Sequence, residues 1–342
     1  MKRNTSLGVA KTAGQNPAIV AVIPLVLALA GLANAEYTFT DQTPTAPILA
    51  GDYQRYVTLL GDGTNLALWY ENRTQGTIEM RTSAAGYTGF GSAQTTTGLS
   101  GLSHPRVFSD GGTGYLGYFW DSAQSPPNGV KRLTSTDGLS WSSAAQITIA
   151  NSPFPSSKIW GVQGCFENLS GDTDVLYYTE GTGANEQLYR ATATDGVNFT
   201  HQGTAFVNPC SPGLGIGVGA GSQVCYDPGE SQYLLVWCGE SVTDNIAYAT
   251  SADGLSFTQQ GSVILENSGH DDLEEVSFVL NGSELVGLYT ADFAGDSNNH
   301  IGAFTGSASA VIPEPATVVV WLLGGAVLLC CAAGRKWRRR GR

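Results

Sequence analysis

Between residues 36 and 312 the chain alternates short apolar runs with clusters of Gly, Asp, Asn, Ser and Thr, and little of it follows a helical period. Five aromatic-rich runs read as strands: LALWYE (66–71), YLGYFWD (115–121), VLYYTE (175–180), YLLVWCGE (233–240) and ELVGLYTAD (284–292). A second pattern follows each of them: one apolar residue, three mixed residues, Thr, then a small residue. It stands at Ile78-Glu79-Met80-Arg81-Thr82-Ser83 and again at 130–135, 188–193, 246–251 and 301–306. The repeated threonines, Thr82, Thr134, Thr192, Thr250 and Thr305, lie 52, 58, 58 and 55 residues apart.

Three copies run on into Asp-Gly-x-x-aromatic, at Asp137-Gly138 to Trp141, Asp195-Gly196 to Phe199 and Asp253-Gly254 to Phe257. Asp-Gly between strands signals a hairpin turn, because Gly tolerates positive φ and Asp bonds the turn backbone. Ahead of each aromatic run lies a turn and another β-rich segment. Each unit therefore holds about four strands, A to D. Five such units predict an all-β fold, a single five-bladed β-propeller over residues 36–310. A pair of β-sandwiches would not explain five matched copies.

Both ends read as processing segments. Lys2, Arg3 and Lys11 precede an apolar run at 18–33, closed by the small-x-small pattern Ala33-Asn34-Ala35, which predicts a signal peptide over 1–35 cut after Ala35. At the other end an apolar run at 316–334 is followed by Arg335, Lys336, Arg338, Arg339, Arg340 and Arg342. At ~1.5 Å rise per residue that run spans about 28 Å, enough for a transmembrane helix. The cationic tail would stay on the cytoplasmic side of the inner membrane. Pro313-Glu314-Pro315, the apolar helix with Gly324-Gly325 and the Arg cluster together resemble a PEP-CTERM sorting signal over 311–342. That resemblance implies an exosortase as processing partner and a host that makes exopolysaccharide. The protein would be exported, transiently anchored, then released to the outer envelope or extracellular matrix.

The blade units resemble those of the five-bladed glycosidase-type propellers, the arabinanase, invertase and levansucrase group; HPRVFSDGGTGYLGYFW (104–120) carries the likeness best. The Asp-Gly-x-x-Trp turns are also similar to the Asp-box of sialidases. In the propeller glycosidases, catalytic carboxylates come from the A-strand starts of several blades, where an Asp-Pro dipeptide is common. Here blade two has His104-Pro105 in that place, and blade three has no carboxylate there. Asp52 and Glu275 remain as the catalytic candidates.

The mature body carries eight Lys and Arg against 28 Asp and Glu, a net charge near −20. Such a body repels nucleic acid, anionic lipid and acidic polysaccharide, so a neutral glycan is the expected partner and nucleic acid is not. Cys165, Cys210, Cys225 and Cys238 lie in the body, and an even count in an oxidising compartment permits two disulfides, with three pairings open. No cofactor or metal is expected. The acidic run from His270 to Glu275 could ligate a structural Ca2+, although a solvated loop is the simpler reading.

Antiparallel alternation places A-strand starts and B-strand ends on one face, with the Asp-Gly turns on the other. The B-strand ends bring one acid per blade, Glu71, Asp121, Glu180, Glu240 and Asp292, most simply read as solvating the next loop. The A-strand starts bring Tyr53, His104, Arg106, Trp160, Gln163, Asp271, Asp272, Glu274 and Glu275, taken as the ligand-binding set. The leading expectation is a glycan-binding propeller without catalysis. The alternatives are a divergent glycoside hydrolase acting on a neutral polysaccharide and a structural or protein-interaction module.

Overall fold

The computed structural model describes residues 36–309, less 44–45, 50–52, 63, 85, 111, 122, 124–128, 154–158, 168–173, 181–186, 207–220, 240–244, 266–269, 282–283 and 294–298. For strand residues 36, 159–161, 163, 165–167, 180, 206, 239, 245, 261–265, 270–272, 274, 281 and 309 it describes the backbone alone. The expected signal peptide, with Ala33 and Ala35, and the tail with Pro313, Glu314 and Pro315 lie outside the described residues.

Four-stranded antiparallel units recur five times. Blade one is β2 (Gln54–Gly61), β3 (Leu66–Asn72), β4 (Thr77–Ser83) and β5 (Gln94–Thr95). Blade two is β6 (Leu102–Ser109), β7 (Tyr115–Asp121), β8 (Val130–Ser135) and β9 (Ser142–Gln146). Blade three is β11 (Ile159–Glu167), β12 (Asp174–Glu180), β13 (Gln187–Ala193) and β14 (Asn198–Phe206), with the short β10 (Thr148–Ala150) added in parallel at its outer edge. Blade four is β15 (Ser222–Asp227), β16 (Gln232–Gly239), β17 (Asn245–Ser251) and β18 (Thr258–Leu265). Blade five takes β19 (His270–Asn281), β20 (Glu284–Phe293) and β21 (Asn299–Ser309) from one end of the body and its outer strand, β1 (Glu36–Asp41), from the other. The inner strands β2, β6, β11, β15 and β19 touch in that order, and β19 returns to β2, so the ring is closed.

The threonine repeat marks equivalent points. Thr82, Thr134, Thr192, Thr250 and Thr305 all lie in third strands, opposite Ala67, Leu116, Val175, Leu234 and Val286. Each partner is the second or third residue of its B strand. The sequence units differ from the structure at blade five, whose fourth strand is EYTFTD rather than a continuation past β21. Tyr37 on β1 is buried, and its hydroxyl donates to Asp227 Oδ2 of blade four at 2.6 Å.

B strands are apolar at consecutive positions because each blade is covered on both faces. Leu176 and Tyr178 face blade two, whereas Val175 and Tyr177, one residue out of phase, face blade four. The buried apolar side chains accordingly group between neighbouring blades: five to one, one to two, two to three, three to four and four to five. Fully burying such a side chain contributes about 1.5–3 kcal/mol.

The Asp-Gly turns lock blade to blade. Asp137 Oδ1 accepts from the backbone N–H groups of Leu139 and Ser140 at 2.8 and 2.7 Å, and Gly138 takes φ +73°. The Gly138 carbonyl then accepts from Trp69 Nε1 of blade one at 2.9 Å. The Gly254 carbonyl accepts in the same way from the Tyr177 hydroxyl of blade three at 2.7 Å. Cys225 is a free thiol, which removes it from any disulfide pairing; the side chains of Cys165 and Cys210 are outside the description.

Candidate active site at the propeller axis

Four of the five inner strands break the regular ladder, as do the outer pairings of blades two, three and four. The pairing shifts between Arg55 and Thr58 in β2, between Ser103 and Arg106 in β6, twice in β11, and between Asp271 and Glu275 in β19. A bulge re-aims the side chains beside it, and here the bulges sit at the strand starts, next to the axis. Two of them hold a residue other than glycine in the left-handed region: Tyr56 at φ +55° and His104 at φ +50°. That conformation costs of order 1–3 kcal/mol and persists only where its surroundings enforce it.

Tyr56 and His104 enforce each other by stacking, with ring centroids 3.4 Å apart at 31°. Trp120 meets His104 edge-on at 5.0 Å, and Ser103 Oγ bonds His104 Nδ1 at 2.8 Å. Burial, together with the nearby Arg106, Arg73 and Arg55, pushes the His104 pKa down to about 3, so the ring is neutral.

Two carboxylates flank this stack. Glu71, at the end of β3, stands opposite Arg55 on β2. Its Oε1 lies 3.2 Å from Arg73 Nε, and its Oε2 is buried. Glu275 is held more completely: Oε2 accepts from the Thr290 hydroxyl and from Tyr56 N–H at 3.3 Å, and Oε1 lies 3.9 Å from Arg55 Nε. Burial raises both pKa values above the usual carboxylate range, Arg73 and Arg55 oppose the rise, and Glu275 lifts Glu71 further by like-charge repulsion. Side-chain exposure separates them, at 15 % for Glu71 and 4 % for Glu275.

A polar web beneath the pair joins four blades. Arg106 is buried and donates to the carbonyls of Val57 at 2.6 Å and Ser222 at 3.4 Å. Ser277 Oγ accepts from Leu59 N–H at 2.8 Å and donates to Gln223 Oε1 at 2.5 Å. Gln223 Nε2 in turn reaches the Phe278 carbonyl at 2.9 Å. These bonds fix the height of β2, β6, β15 and β19 at the axis and so place the carboxylates.

Of the residues chosen from sequence, Tyr53, His104, Arg106 and Glu275 meet in this cluster. The Arg55 and Arg73 guanidinium carbons lie 5.6 and 6.0 Å from the Tyr53 ring centre. Trp160 and Gln163 fall in β11, and Asp271, Asp272 and Glu274 in β19, each with its backbone alone described; Asp52 is outside the described residues. Asp121 is paired with Lys131, whose Nζ lies 2.7 Å from its Oδ2. Arg55, Tyr56 and Arg73 join the cluster although no motif singles them out, and Glu71 lies in it rather than solvating a loop. The signal available for them was the pair of tyrosines flanking Arg55 at the first A-strand start.

A groove of about 610 Å3 lies on the opposite face between blades one and two, lined by Asp62, Asn65, Ser83, Thr113 and Tyr115 among others. Its one carboxylate, Asp62, is engaged with Asn65 and Thr64, which lower its pKa to about 2. The two desolvated acids, Glu71 and Glu275, are on the axial face instead.

No protein-family model matches the chain, and no curated protein matches it in sequence. Solved structures do match it in fold. The catalytic domain of a GH62 α-L-arabinofuranosidase from Coprinopsis cinerea superposes with a TM-score of 0.58 at 12% identity, covering 81% of this chain and 98% of that one. The α-L-arabinofuranosidase of Podospora anserina, solved with cellotriose, gives 0.55 at 12% identity over 81% and 98%. A thermostable family-43 glycoside hydrolase gives 0.57 at 15% identity over 79% and 93%. At these identities the fold is what is shared, that of the five-bladed propeller glycoside hydrolases.

Proposed function

We propose that the protein is a divergent glycoside hydrolase whose proton donor is Glu71. The observation that carries this reading is the Glu71 carboxyl itself: partly exposed at the axial mouth, raised in pKa by burial, and close enough to the more deeply buried Glu275 to be raised further by it. Glycosidic cleavage needs an acid that keeps its proton near neutral pH beside a carboxylate that stays charged. Two interacting buried acids cannot both ionise freely. Thr290, the Tyr56 N–H and Arg55 surround Glu275, and this reading puts the negative charge there and the proton on Glu71, against the pull of Arg73 at 3.2 Å from Glu71. Tyr53 supplies an aromatic face for a sugar ring.

The neighbouring structures support hydrolysis better than glycan binding without catalysis, because most of those identified by activity are glycosidases, with an N-acetylgalactosamine deacetylase beside them. The body charge near −20 favours a neutral polysaccharide as substrate. Export, exosortase cleavage of the 311–342 segment and delivery to the envelope or matrix complete the proposal, on the strength of the terminal sequence motifs. Reducing ends released from a panel of neutral polysaccharides by the wild type, and not by Glu71→Gln, would support the assignment. A panel left intact by the folded wild type would remove it.

A further inference from the structure

We propose that Tyr56 is a positioning residue for the acid: its hydroxyl fixes the Arg73 guanidinium on the Glu71 carboxylate while its backbone N–H fixes Glu275 alongside. This inference rests on the reading of Glu71 as the proton donor.

The geometry runs through a single side chain. Arg73 Nη2 donates to the Tyr56 hydroxyl at 3.2 Å, and Arg73 Nε lies 3.2 Å from Glu71 Oε1. The guanidinium carbon also sits 5.3 Å from the centre of the Tyr56 ring. Tyr56 N–H reaches Glu275 Oε2 at 3.3 Å, so one residue touches the supports of both acids. Its left-handed backbone at φ +55° turns the ring onto His104 and leaves the hydroxyl toward Arg73. A regular β2 would not present the N–H and the ring in these directions.

The tether matters because the Arg73 side chain is 35 % exposed. An exposed ion pair between untethered side chains is weak, since many rotamers compete with the paired one. The hydroxyl and ring of Tyr56 remove most of those rotamers. Other charges facing Glu71 are Arg55 from β2, which lowers its pKa, and Glu275 from β19, which raises it; the His104 N–H from β6 bonds it, with a neutral ring. From β4 the facing residue is Ile78, which carries no charge. Burial pushes the Glu71 pKa up. Arg73 moderates that rise, and Tyr56 keeps Arg73 in place.

The test needs no ligand. Side-chain carboxyl carbons of the full chain are titrated by NMR, with Glu71 assigned by its loss in Glu71→Gln. Tyr56→Phe keeps the stacked ring and removes the hydroxyl. It should raise the Glu71 midpoint by up to about one pH unit, and Arg73→Gln should raise it at least as much. Added to Arg73→Gln, Tyr56→Phe should produce no further shift. An unmoved Glu71 in either single variant overturns the proposal, as does a Tyr56→Phe shift that survives in the double variant. Absence of hydrolysis by the wild type would instead overturn the donor role while leaving this titration result standing.

Discussion

Tyr56 and His104 come from inner strands of neighbouring blades, share the left-handed backbone region, and stack with centroids 3.4 Å apart. Each strained backbone is compensated by the other's ring. His104 pays electrostatically as well, because the stack removes water from its imidazole.

This predicts a pH dependence of stability. The His104 pKa falls from an ordinary 6.5 to about 3 on folding, so the unfolded chain binds the extra proton between those values. The contribution of a neutral His104 is complete above about 6.5 and is lost as pH falls toward 3. The melting temperature should drop with pH across that window less steeply in His104→Gln than in the wild type. Equal slopes would show that His104 is not held neutral.

Closure of the ring through β1 gives a second expectation. Tyr37→Phe deletes the bond to Asp227 and leaves the ring packed, so it should cost about 1–3 kcal/mol in urea denaturation. An unchanged midpoint would mean that β1 does not hold blade five to blade four.

The turns test the latching role of the Asp-Gly repeat. A Cβ on Gly138 would lie 2.7 Å from Trp69 Cζ2, at φ +73°; one on Gly76 would meet nothing within 4 Å, at φ +66°. Gly76→Ala should therefore cost only the left-handed penalty of roughly 1–2 kcal/mol. Gly138→Ala should add overpacking of about 1–3 kcal/mol. Equal losses on denaturation would contradict the blade-to-blade contact.

Asp195 extends the same argument to pH. The N–H groups of Asn198 and Val197 and the Asn198 amide lower its pKa to about 2. Its stabilisation is present above the ordinary value near 3.8 and is lost as pH falls through 2. Asp195→Ala should melt lower at neutral pH while the folded fraction turns over substrate unchanged. A loss of turnover confined to this variant would put the site on the wrong face.

The blades were legible because Thr82 and its four counterparts repeat at a spacing that only a repeated unit explains, and because consecutive apolar residues such as Val175 to Tyr178 require two covered faces. The outer strand of blade five was not, since EYTFTD alternates like any short strand and nothing local says that it pairs with residues some 270 positions away. At the axis, alternation along a regular strand gives the face of Tyr53 and His104. It cannot reveal the bulge that turns Tyr56 over, nor the burial of Glu71 beside it. The place of Glu71 at a strand end points to an acid solvating a loop; burial is what raises its pKa.

The donor role of Glu71 is tested most directly by leaving-group dependence. Wild type and Glu71→Gln are compared on a polysaccharide and on a dinitrophenyl glycoside of the same sugar, whose leaving group needs no proton. Loss of the donor should slow polysaccharide cleavage by about 10²–10⁴-fold while the dinitrophenyl substrate is cleaved at a rate near that of the wild type. Equal losses on both substrates, or no loss on either, would contradict the assignment of Glu71 as the acid.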